Sequence, residues 1–113
     1  MVDYSLEMCY GFVVDDTTIN KIQEFYNYSE EIEDFVDTYV RCINNWNGQK
    51  YFIGLRNELF DGTENIYYFE ETIDNFPLSE INNFYDIITN LKIKEIIGND
   101  LGLCRKMLIN FIY

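Results

Sequence analysis

Glu30, Glu31, Glu33, Asp34 and Asp37 fall within eight residues, and each avoids the positions Ile32, Phe35, Val36, Tyr39, Val40 and Ile43, which recur at helical spacing. On a helix these five carboxylates share the outer surface over roughly 10 Å of axis, at about 1.5 Å per residue. That is about one charge per 2 Å, close to the ~1.7 Å per charge of duplex DNA. Such a row can stand in for phosphate in the basic groove of another protein. A second acidic run spans residues 58–86, with eight acidic residues and no Lys or Arg, and supplies Glu70, Glu71 and Asp74 as further candidates for the same role.

A plainer account of the same residues stays open. Acidic side chains in the first turn of a helix stabilise it through the positive end of its dipole, and an outward face must be polar in any case. The unrelieved second run weighs on the other side, because like charges held together destabilise a compact state unless a partner uses them.

Other chemistry has little to work with. The chain has no His, which removes the commonest general base, the usual Ser and Cys triads and the commonest zinc ligand. Neither GxxxxGK[ST] nor GxGxxG occurs, so no phosphate-cradling loop is expected. Carboxylate-only catalysis would need paired acids, and the candidates are Asp15 with Asp16 and Glu70 with Glu71. Neighbours in a strand point to opposite faces, and Asp15-Asp16 reads more simply as a helix entry. Asp61-Gly62-Thr63-Glu64-Asn65 carries oxygen ligands but lacks EF-hand spacing. The expectation is a binding protein with no catalytic residue, no cofactor and no metal.

The charge is unevenly placed. Residues 1–40 carry a net −9 and 58–86 a net −8, while 41–57 carry +3 and 87–113 carry +2, for −12 overall. A surface of that sign repels nucleic acid, so direct binding to it is not expected, and a basic protein is the natural partner. The 15 Ile and 13 Asn, with no Ala, fit AT-rich coding and hence a low-GC bacterium or one of its viruses; such bias should also raise Lys, yet there are only five. No basic leader precedes an apolar run, and no apolar stretch approaches the roughly 18 residues of a membrane span. Cys9, Cys42 and Cys104 are widely spaced and form no CxxC pair. They read as buried free thiols in a reducing cytoplasm.

The length of 113 residues suits one domain over 1–113. From Ser5 to Val14, Leu6, Met8, Tyr10, Phe12 and Val14 alternate with Ser5, Glu7, Cys9, Gly11 and Val13, the pattern of a half-buried strand. Asp15-Asp16-Thr17-Thr18 can cap a short helix through Ile19, Ile22, Phe25 and Tyr26, and Ser29 can cap the acidic helix, whose stripe runs to Ile43. Lys50–Leu59 and Asn65–Thr72, joined by Asp61-Gly62-Thr63, predict an antiparallel hairpin, with Tyr51, Ile53 and Leu55 on one face. Pro77 or Ser79 opens a third helix with Ile81, Phe84, Tyr85, Ile88 and Leu91 inward; Lys92–Ile97 either extends it or does not. Met107, Ile109, Phe111 and Tyr113 alternate in a last strand. The order β-α-α-β-β-α-β predicts an α+β fold with a largely antiparallel four-stranded sheet and helices packed on one face.

Trp46, between two Asn in a Gly-containing loop, is either an aromatic anchor for a partner or a lid on the core. Tyr26, Tyr28, Tyr67 and Tyr68 suit a core boundary or a contact surface equally. Lys92, Lys94, Arg105 and Lys106 either pair with the acidic runs or mark a second surface.

In general character, small, acidic, His-free and AT-coded, the whole chain resembles phage-encoded anti-CRISPR and anti-restriction inhibitors, some of which mimic DNA. The resemblance implies a target such as a Cas9-type nuclease, whose basic channels and arginines would pair with Glu30, Glu31, Glu33, Asp34, Asp37, Glu70, Glu71 and Asp74. An immunity or antitoxin-like protein that neutralises a basic toxin enzyme would show similar surface chemistry. A structural phage protein that associates with itself, for instance as a homodimer, through sheet edges is the third expectation.

Overall fold

The computed structural model describes residues 4–44, 49–60, 76–98 and 104–112. Its elements are β1 (Tyr4–Asp15), α1 (Asp16–Phe25), α2 (Glu30–Tyr39), β2 (Val40–Asn44), β3 (Lys50–Phe60), α3 (Leu78–Asn90), α4 (Ile93–Ile97) and β4 (Arg105–Ile112). The fold is α+β, with a largely antiparallel four-stranded sheet in the order β2-β3-β1-β4 and the helices on one face. One bridge of parallel type, Asn44 with Ile112, brings the two outer strands together, so the sheet curls towards a barrel.

The alternation in β1 places its side chains as the period of two requires. Phe12 and Val14 join Ile53 of β3 and the buried helix residues Ile19, Ile22, Ile32, Phe35, Phe84 and Ile88 in the main core, with Tyr51 and Leu55 against it. The second face of β1 departs from the half-buried pattern. Ser5, Glu7, Cys9 and Gly11 are buried too, because the curl turns this face inward over Phe52, Ile109 and Phe111. A sheet rolled on itself hides both faces of its central strand.

Two further differences concern elements. The acidic helix ends at Tyr39, and Val40–Asn44 is a strand paired with Lys50–Ile53. The apolar stripe continues through Val40 and Ile43, but Val40 already has extended backbone, φ −106° and ψ 131°. β-Branched Val and Ile fit a strand well, and the ladder to β3 outweighs further helical turns. The first strand of the expected hairpin is present as β3, flanked by β1 and β2, whereas Asn65–Thr72 lies outside the described residues.

The helix entries are those that the side chains dictate. Asp15 caps α1, its Oδ1 accepting from the Thr18 backbone N–H at 2.9 Å and from both threonine hydroxyls, Thr17 at 2.8 Å and Thr18 at 2.7 Å. Ser29 caps α2 by accepting from the Ile32 N–H at 3.4 Å. Pro77 opens α3 without a side-chain cap, and Lys92 at φ 53° breaks the chain between α3 and α4, which is therefore a separate turn of helix. Phe25, expected in the inner stripe of α1, is instead 62% exposed. The Tyr10 and Tyr85 hydroxyls meet at 2.8 Å and tie α3 to β1.

The Asp15 cap has a consequence for acid stability. Its three hydrogen bonds hold the carboxyl at about 2, down from 3.8. A lowered value means stabilisation that is present above about pH 4 and lost as pH falls towards 2. Asn caps a helix about as well as Asp, so Asp15→Asn isolates the charge. The difference in Tm between wild type and Asp15→Asn should be steady from pH 6 to about 4 and shrink between 4 and 2; a difference unchanged at pH 2 would contradict the cap's charge.

Candidate functional site

The five candidate carboxylates of α2 share one helix whose inner side is fixed by Ile32 and Phe35, both buried. Glu30, Glu31, Asp34 and Asp37 are exposed and Glu33 is half-exposed. Among the described residues, none of the five lies within ion-pair distance of a Lys or Arg. Glu30, Glu31 and Glu33 occupy the first turn, where the dipole and the Ser29 cap favour them. Three of the five thus also stabilise the helix, whereas Asp34 and Asp37 lie beyond its first turn.

The other helices carry acids as well, beside Lys21 of α1 and Lys94 of α4. Asp16 and Glu24 of α1, Glu80 and Asp86 of α3 and Glu95 of α4 are all exposed. Glu80 and Asp86 are the members of the second acidic run with described side chains. Glu70, Glu71 and Asp74 lie outside the described residues, as do Asp61–Asn65, Trp46, Tyr67 and Tyr68.

Between α2 and α3 runs a groove of about 330 Å³. Glu31, Asp34 and Thr38 form its α2 side, Ile87 and Asn90 its α3 side, and Phe35, Tyr39 and Leu91 complete the lining. At one end the Tyr26 hydroxyl donates to the Leu91 carbonyl, and burial, with Glu31 and Glu95 nearby, raises the pKa of that hydroxyl. A second cleft of similar volume continues past Thr38 and Tyr39 towards Gly54, Arg56, Glu80 and Asn83. Sequence periodicity gave no sign of the groove, because it depends on how far α3 stands from α2.

Of the eight basic residues, Lys21 of α1 and Lys50 of β3 are exposed, and the other six divide into two groups. Arg41 of β2 and Arg56 of β3, which make up most of the positive segment 41–57, both turn onto Glu7 of β1. Arg56 Nη1 lies 3.3 Å from Glu7 Oε1 and Arg41 Nη1 lies 3.6 Å from Oε2. Both guanidinium groups also lie over the Phe111 ring, at 5.1 Å and 5.7 Å from its centre. Glu7 is 3% exposed. These arginines serve the interior of the curled sheet. Lys92, Lys94, Arg105 and Lys106 are exposed on α4, the turn before it and β4.

Asp15 and Asp16, the described pair considered for catalysis, form the entry to α1. Among the described residues no three of His, Cys, Asp and Glu are grouped to hold a metal, and no helix is long and apolar enough to cross a membrane. Cys9 is buried, its thiol pushed up to about 12 by burial and by Glu7, whereas Cys42 and Cys104 are only half-buried. None of the three is in a disulfide.

Compared with family models, with curated proteins and with solved structures, the chain matches none of them.

Proposed function

We propose that this protein is a non-catalytic inhibitor that occupies the basic nucleic-acid site of another protein, such as a bacterial defence nuclease, by presenting carboxylates in place of phosphates. The supporting observation is the α2 row, five carboxylates on one helix with no cation at ion-pair distance among the described residues. Asp16 and Glu24 of α1 and Glu80 and Asp86 of α3 add negative charge on the helices, against Lys21 of α1 and Lys92 and Lys94 at α4. A field of one sign steers a partner of the other sign and speeds encounter. The host expected from the composition is a low-GC bacterium, with the protein acting in its cytoplasm.

The test is affinity capture of the tagged protein from such a host carrying a CRISPR or restriction system, at low and high salt and with competing duplex DNA. Recovery of a nuclease that salt and DNA both release is the expected result. Reversing Glu30, Glu31, Glu33, Asp34 and Asp37 to Lys should lower capture about tenfold or more, a loss of about 1.4 kcal/mol or greater. A partner that resists both competitors would overturn phosphate mimicry in favour of a toxin-neutralising or allosteric interface. Self-association without a basic partner would favour the structural reading.

A further inference from the structure

We infer that the groove between α2 and α3 receives an arginine side chain of the partner, so that the acidic face has one shaped subsite as well as a field. The inference rests on the reading that α2 faces a basic protein. Its own argument comes from the lining of the groove.

The floor is apolar and partly aromatic, formed by Phe35, Tyr39, Ile87 and Leu91. The polar groups at its edge are acceptors or neutral. Glu31 and Asp34 stand three residues apart on α2, which places them on one side of the helix with Cβ atoms about 5–6 Å apart. Thr38 and Asn90 add a hydroxyl and an amide oxygen. Asn90 is also the last residue of α3, and the C-terminal end of a helix carries partial negative charge. Among the described residues no Lys or Arg lines the groove.

This combination suits guanidinium better than ammonium. A guanidinium is flat, weakly hydrated and able to stack on an aromatic ring, and its fixed N–H fork can reach two carboxylates together. An ammonium is compact and strongly hydrated, and it would gain little from the apolar floor. The volume of about 330 Å³ is at the small end of the range for ligand pockets, suited to one long side chain and too small for a folded element. A purely apolar occupant would leave Glu31 and Asp34 facing it without a counter-charge.

The test needs no nuclease. Full-length protein with labelled Ile and Leu methyl groups is titrated with acetyl-Gly-Arg-Gly-amide and, separately, with the Lys counterpart. The Arg peptide should shift the Ile87 and Leu91 methyl signals and bind about fivefold more tightly than the Lys peptide. Glu31→Gln with Asp34→Asn, both at exposed positions, should remove those shifts while leaving the other methyl signals in place. Equal response to Arg and Lys, or shifts that bypass Ile87 and Leu91, would overturn the inference. Because the readout is a free peptide, the groove can fail while capture of a nuclease succeeds, and capture can fail while the groove still prefers arginine.

Discussion

Glu7→Gln should lower the stability of the fold by about 3 kcal/mol, since removing one partner of a buried ion pair costs about 3–5 kcal/mol. The lower end applies because the two arginines keep some contact with water, with side chains 27% and 24% exposed. Gln keeps the shape but leaves two guanidinium groups over Phe111 without the charge that held them there. For a chain of this length about 3 kcal/mol corresponds to a fall in Tm of about 12 °C. The thiol of Cys9 offers a second reading. Glu7 is among the groups that raise its pKa while Arg41 and Arg56 lower it, so in Glu7→Gln the thiol should titrate lower than in wild type. The triple variant Glu7→Met, Arg41→Leu, Arg56→Leu should recover most of the lost stability, because apolar residues of similar size often replace a buried ion cluster without loss. Chemical denaturation of the three proteins decides this. A Glu7→Gln protein within 1 kcal/mol of wild type would mean that water already screens the cluster.

That cluster also marks the limit of what the sequence makes legible. Alternation in β1 identifies its helix-facing side, and caps at Asp15 and Ser29 mark two helix entries, because both signals are local. Glu7 looks like a surface residue by the same alternation, and Arg41 and Arg56 look like a positive surface segment. Only the curl of the sheet brings them together, and that curl depends on pairing between β1 and residues about a hundred positions later. The α2 stripe illustrates the opposite difficulty. Val40 and Ile43 satisfy the helical spacing as well as a strand would, and the choice is made by the backbone of β3. The candidate acids of α2 were legible as a row because a helix fixes their spacing. The groove beside them was not, because it belongs to two helices separated by 38 residues.

The curl itself depends on a pair of glycines, and Gly54→Ala should cost about 2–6 kcal/mol. Gly11 and Gly54 are direct partners across β1 and β3. A Cβ on Gly54 would run into the Tyr10 carbonyl oxygen and lie 2.8 Å from both the Gly11 Cα and the tip of the Phe52 ring. A Cβ on Gly11 would meet the Ile53 carbonyl oxygen in the same way, with Gly54 Cα and the Phe52 ring at 2.9 Å. The obstructing atoms are mostly backbone, so relief requires the ladder to open. Over-packing of this kind costs about 1–3 kcal/mol. Gly54 adds a second penalty, because its φ of +151° is a conformation that residues with a Cβ avoid, worth about 1–3 kcal/mol more. Gly11 has no such positive φ, so Gly11→Ala should be the milder change by about that amount. Phe52 covers the pair much as aromatic residues elsewhere shield glycines in curved sheets, and its ring closes the inner core with Phe111 at 6.3 Å between centres. Equilibrium unfolding of both variants tests the ranking. Equal losses would remove the backbone contribution at Gly54, and an unchanged Gly54→Ala would mean that β1 and β3 can separate there without loosening the curl that holds Glu7 against its arginines.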